Sequence, residues 1–165
     1  MMDSIFHRRS IRQYTDEPVS EDQIEQILKA GMAAPSAVNG RPWEFYVVTN
    51  EDMKQKLAEV SPYAGSAALA PVVIVPVYHV DCAAPEYAQI DMGICIENMM
   101  LMADELGLGS VCLGIAPEKD RMEKVKALLA LPEKEECFAL LPVGHPMGEP
   151  RHRETWDPKR VHFIR

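Results

Sequence analysis

EYAQIDMGICIENMMLMADEL, residues 86–106, decides how the rest of the chain is read. Between Ala88 and Ala103 only Gln89, Asp91, Glu97 and Asn98 are strongly polar, while Met92, Met99, Met100 and Met102 join Ile90, Ile94, Ile96 and Leu101. A helix that is apolar on nearly every side has to be buried on nearly every side. In a chain of 165 residues that makes it either the central core helix or a helix shared with a second subunit. The methionines could be read as a cofactor box, but flexible thioethers serve core packing or a subunit interface more often.

Working outward, Gly107 and Gly109 end the helix, and residues 110–115 (SVCLGI) read as a strand. Pro117 sits near the start of a helix that runs to about residue 131, and residues 137–143 form a last strand before Gly144-His145-Pro146 and a basic tail. Upstream, VVIVPVY at 72–78 is a continuous apolar strand in which Pro76 signals an edge or a bulge. A polar helix covers about 51–60, and EFYVVT at 44–49 reads as a strand. Ser20 opens another helix, with a capping box to Gln23 and apolar repeats at Ile24, Ile27, Leu28 and Met32, ending near Ala33. A short helix is expected over residues 2–8. Helices alternating with four strands, without repeat, linker or low-complexity tract, indicate one α/β or α+β domain over residues 1–165.

Charge is unevenly placed. The chain carries 17 basic and 25 acidic side chains, for a net −8. Residues 1–14 hold Arg8, Arg9 and Arg12 against Asp3, and residues 151–165 hold Arg151, Arg153, Lys159, Arg160 and Arg165 against Glu154 and Asp157. Both ends are therefore cationic, and the 15–150 body, with 9 basic and 22 acidic groups, stands at −13. Such a body argues against nucleic acid as a partner, while two basic segments suggest a local anion site if the ends meet. The N-terminus lacks the apolar stretch of a signal peptide. The longest apolar run, residues 67–78, is broken by Pro71 and Pro76 and falls short of the ~20 residues a membrane helix needs, so no membrane role and a cytoplasmic location are expected. Four cysteines without a C-x-x-C pair, Cys82, Cys95, Cys112 and Cys137, read as buried free thiols.

Phosphate-loop, dinucleotide-fingerprint, zinc-helix and nucleophile-elbow patterns are all absent, and the five histidines show no ligand spacing. Two segments remain. In Arg8-Arg9-Ser10-Ile11-Arg12, guanidinium forks and a hydroxyl alternate along one side of an extended chain and could cradle a phosphate, or could form a solvated basic end. Residues 34–43, APSAVNGRPW, lie between a helix and a strand, where rigid flanks let a Pro/Ser/Asn/Gly loop carry function or merely connect.

Taken together, RRSIRQY at 8–14, APSAVNGRPWEF at 34–45, the Asp91 helix leading to GLGSVCLG at 107–114, and GHP at 144–146 with its Arg-rich tail resemble the flavin-dependent nitroreductase family over nearly the whole chain. The resemblance implies an α+β fold, an α/β/α sandwich whose mixed, mostly antiparallel sheet surrounds a long buried central helix. It also implies a homodimer with non-covalent FMN at each subunit interface. Arg8, Arg9, Ser10 and Arg12 match the segment that holds the flavin phosphate and ribityl chain; Pro35, Ser36 and Asn39 match a loop reaching the flavin from the partner subunit. Leu113 and Gly114 match a strand end whose backbone approaches the ring, and Arg151 or Arg153 falls where the tail returns a basic residue to the phosphate. No metal and no catalytic side chain are implied.

The sequence departs from the family at three points. Arg41 stands where Gln is frequent, Cys112 stands where a large aromatic is frequent, and the short span 80–85 leaves no room for a covering excursion. An open pocket is expected. The implied activity is transfer of hydride from NAD(P)H through FMN to a small electron-poor acceptor (nitroaromatic, quinone or flavin) by ping-pong exchange, with a flavin carrier or sensor lacking turnover as the alternative.

Overall fold

The computed structural model describes residues 4–148 and 154–165. Chain order begins with α1 (Ser4–His7), one turn pinned at long range: the Ser4 hydroxyl donates to Glu105 at 3.0 Å, and His7 Nδ1 lies 3.0 Å from Asp104. The expected capping box then forms. Ser20 Oγ accepts from the Gln23 amide at 3.2 Å and Gln23 Oε1 accepts from the Ser20 amide at 3.0 Å, opening α2 (Glu21–Met32).

There follow β1 (Trp43–Val48), α3 (Glu51–Ala58), α4 (Ser66–Leu69), β2 (Val72–His79), α5 (Ala88–Glu105), β3 (Gly109–Ser110), β4 (Leu113–Gly114), α6 (Lys119–Leu129), β5 (Glu135–Cys137) and β6 (Ala139–Gly144). The sheet runs β1-β2-β6-β3, with β4 also on β6 and β5 also on β2, all in antiparallel pairs. A parallel bridge, Ser10 to Ser110, lays the N-terminal segment along β3.

Pro76 does not sit at an edge: β2 is flanked by β1 on one side and by β5 and β6 on the other. The bulge reading holds. From Ile74 to Val77, β2 advances three residues while its partner advances four, from Leu141 back to Cys137. The extra residue is Phe138, whose amide donates to the Pro76 carbonyl at 3.0 Å. A central strand thereby accommodates a residue with no N–H to give.

Every residue of β2 except His79 is buried. A strand buried on both faces needs a layer on each. One layer is α5 with α1 and α2 packed against it, and a second group is α3 with α4 and α6. The α2–α5 contact is close: a Cβ on Gly31 would lie 2.8 Å from Met99 Cγ and 3.1 Å from Cys95 Sγ. Lys54 anchors α3, its buried ammonium donating to the Ala70 carbonyl at 2.7 Å and meeting Glu51 at 2.7 Å.

Several sequence expectations need correction. The strands expected at 110–115 and 137–143 are each broken in two, because Val111–Cys112 and Phe138 leave the ladder, and α4 was not foreseen. The cysteines are free, but only Cys95 and Cys137 are buried; Cys112 is exposed and Cys82 is half-buried. The long helix is central on one face alone. Asp91, Met92, Cys95, Ile96, Met99, Met100 and Ala103 are buried, whereas Ile90 is 60% exposed and, with Gly93, Ile94 and Glu97, forms an open stripe at helical spacing. Among the described residues no helix is long and apolar enough to cross a membrane.

Candidate active site

The parallel bridge at Ser10 carries the N-terminal arginines to the strand ends. Its fit depends on Gly109, where a Cβ would meet three carbons of Ile11 at 2.7–2.8 Å. Farther along, Tyr14 bridges Pro146, the Thr15 amide donates to the His145 carbonyl, and the Met147 amide donates to the Gln13 carbonyl. The N-terminal segment therefore runs beside the stretch that leads into the basic tail. Arg151 and Arg153 themselves lie outside the described residues. Tyr14 is fixed by donating to the Ile11 carbonyl at 2.6 Å, and its burial raises the hydroxyl well above the ordinary phenol range, against the opposing charge of Arg12.

Beside this segment opens a cleft of about 570 Å³ lined by Arg12, Ser61, Tyr63, Ala64, Cys112, Leu113, Gly114, Ile115 and Arg121. Among the described residues that line it are two guanidinium groups and no carboxylate. The structure thus brings three of the expected residues together: Arg12 from the N-terminal segment, Leu113 and Gly114 from β4. A Cβ on Gly114 would meet only the Ala116 carbonyl, at 3.8 Å, so the bare backbone there faces open space.

The remaining expected residues are placed otherwise. Ser10 lies on the bridge to Ser110. Arg8 Nε donates to Glu97 at 3.2 Å, and Arg9 donates to the carbonyls of Phe6 and Arg8 at 2.8 and 2.7 Å. Pro35, Ser36 and Asn39 do not line this cleft. Their loop is built tightly: Ser36 Oγ accepts from the Arg41 amide at 2.9 Å, Asn39 Oδ1 accepts from Arg41 Nε at 3.1 Å, and both carboxylate oxygens of buried Asp91 accept from the Ala37 amide at 3.1 Å. Val38, Asn39 and Arg41 all adopt positive φ (48°, 57° and 46°). For a β-branched residue such as Val38 this is a genuine outlier, and strain of this kind, of order 1–3 kcal/mol per residue, concentrates at functional loops.

Sequence reading missed Ser61, Tyr63, Ala64 and Arg121. Arg121 carried a signal: a cation in the first turn of α6 opposes the helix dipole, so its position calls for another reason. In place it lies over the Tyr63 ring at 5.9 Å, and Nη1 points to the Gly114 carbonyl at 3.5 Å. A second cleft, about 560 Å³, is lined by Tyr14, Asp16, Glu51 and Lys54 among others. Its carboxylates, and a lysine already held by carbonyls, make it the poorer anion site.

The Nitroreductase family model matches residues 5–61 and 63–145. The chain belongs to the nitroreductase family. A Methanothermobacter thermautotrophicus member provisionally named NADH dehydrogenase/NAD(P)H nitroreductase is 40% identical over 168 residues, spanning 99% of this chain and 86% of its own. Among solved nitroreductase structures, an FMN-dependent nitroreductase from Clostridium difficile is 27% identical with a TM-score of 0.93, covering 100% of this chain and 99% of its own. A provisionally named nitroreductase from Desulfovibrio desulfuricans, solved in complex with FMN, is 30% identical with a TM-score of 0.85, covering 99% and 96%. The antiparallel sheet between helical layers is thus the nitroreductase fold expected from the motifs.

Proposed function

We propose that this nitroreductase-family chain is a homodimeric, FMN-dependent oxidoreductase that takes hydride from NAD(P)H and reduces an electron-poor acceptor by ping-pong exchange. The observation that carries the reading is the acid-free cleft in a chain of net charge −8, with Arg12 and Arg121 beside the open backbone of Leu113 and Gly114. A mononucleotide needs a cationic end for its phosphate and an approachable backbone for its ring, and this donor set fits both. When bound, FMN would supply the two-electron chemistry.

The chain's own residues bind and orient. Arg12, with Arg8, Arg9 and Ser10 on the same segment and a tail arginine, Arg151 or Arg153, neutralises the phosphate. The Leu113 and Gly114 backbone borders the ring. The strained loop with Pro35, Ser36 and Asn39 does not line its own chain's cleft, which agrees with service to a second subunit. The exposed stripe of Ile90, Gly93 and Ile94 on α5 supplies the apolar face for that subunit.

Purified protein should show a bound-flavin absorbance spectrum that bleaches on anaerobic mixing with NADH or NADPH, then recovers on adding a quinone or nitroaromatic. Failure to take up FMN on reconstitution overturns the reading. Uptake with bleaching no faster than that of free FMN replaces it with a flavin-binding module without turnover.

A further inference from the structure

A second constellation lies apart from the cleft, at the end of the sheet where β2 leads towards α5. Glu44 on β1, His79 on β2 and Glu135 on β5 offer ligand atoms that all lie within 4.8 Å of one another. The register explains the convergence. His79 and Glu135 are direct cross-strand partners. Glu44 pairs with Val77, two residues from His79, and so shares their face of the sheet. We propose that Glu44, His79 and Glu135 bind one divalent cation of the zinc class.

Three observations support the site. Glu135 is buried, retaining 5% exposure, yet no lysine or arginine among the described residues pairs with it. Its one side-chain donor is the neutral Tyr46 hydroxyl, at 2.7 Å on Oε2. A buried carboxylate without a cation is costly, and a second carboxylate, Glu44, stands close by. His79 Nε2 already sits 2.8 Å from Glu44 Oε1, while its backbone is fixed by an amide bond to the Pro42 carbonyl at 2.9 Å. Tyr46 meanwhile orients Glu135 and leaves Oε1 available, as outer-sphere partners do in metal centres.

Tetrahedral ligands with bonds of 2.0–2.1 Å lie about 3.4 Å apart, so loading requires terminal torsions of the two glutamates and no movement of strands. Half-exposed Glu44 and His79 leave an entry path and a water position. Two oxygens and one imidazole suit Zn²⁺, Co²⁺ or Mn²⁺, and suit neither the soft copper class nor Mg²⁺, which prefers all-oxygen octahedra.

Untagged protein stripped by chelator and dialysed should bind one Zn²⁺ per chain in a calorimetric titration, and Co²⁺ should give the visible bands of a low-coordinate site. Mg²⁺ at equal concentration should give no heat. Zinc at a hundredfold excess over Kd should raise Tm by about 5–10 °C. His79→Ala and Glu135→Gln should each weaken Zn²⁺ at least tenfold, with a Glu86→Gln control unchanged and flavin content the same in all. Because Glu135→Gln alters a buried group, its circular dichroism is checked; His79→Ala, at the strand's half-exposed end, decides if that variant fails to fold. Absence of stoichiometric binding, or equal binding by His79→Ala, overturns the proposal and leaves His79 as a hydrogen-bond partner of Glu44.

Discussion

At the scale of single residues, burial governs the thiols. Desolvation raises Cys95 and Cys137 to about 12 from an ordinary value near 9. Below pH 9 both folded and unfolded states keep these protons, and the stabilisation is fully present. As pH rises from about 9 towards 12 the unfolded chain ionises first, so stability is lost at up to about 1.4 kcal/mol per pH unit for each thiol. Urea midpoints at pH 8 and 10.5 should therefore separate, and less so in a Cys137→Ala variant. At neutral pH a thiol reagent should label Cys112 and Cys82 in the native protein and reach Cys95 and Cys137 only in denaturant. Arg121 teaches a different lesson at this scale. Its conflict with the α6 dipole was visible in the sequence, but its partner Tyr63 was not, because nothing local joins positions 58 residues apart.

At the scale of elements, local determinants were legible and long-range ones were not. The Ser20–Gln23 box could be read directly because both partners lie within one turn. The interruptions at Val111–Cys112 and Phe138 could not, since the first is set by how β3 and β4 pair with β6 and the second by how β5 and β6 pair with β2. Nor could the left-handed loop, where Val38, Asn39 and Arg41 hold conformations that a sequence reader grants to glycine. That loop depends on the first turn of α5. Asp91→Ala removes a charge-assisted acceptor and leaves the Ala37 amide without its partner, at a cost of about 2 kcal/mol; Asp91→Asn keeps an acceptor and should lose less. Chemical denaturation measures the stability, and flavin titration should show weaker binding in the alanine variant even at temperatures where it is folded.

At the scale of the whole molecule, the sequence asks for a long helix buried on nearly every side, by the core or by a second subunit, and one chain covers only one face of it. Ile94→Asp places a charge on the open stripe without touching the core. It should leave circular dichroism unchanged, shift the protein to a monomer in analytical ultracentrifugation and reduce flavin retention at least tenfold; a dimer that persists with full flavin would separate the stripe from assembly. Of the charge division, the structure shows that residues 13–14 run beside 146–147, while Arg151 and Arg153, with which the basic tail begins, lie outside the described residues.

The bulge at Phe138 has a further consequence. Residues 72–78 form a short, uncharged, β-branched stretch of the kind that stacks into cross-β aggregates when a nascent chain exposes it. Pro76 interrupts that stretch with a residue that cannot join an intermolecular ladder, and the bulge lets the native sheet keep it. Pro76→Val should fold to a protein of comparable flavin content, yet yield more light scattering during refolding from urea and more inclusion bodies at 37 °C. Pro76 thus guards the chain before it has folded, and the irregularity in the sheet is what the folded state concedes to keep it.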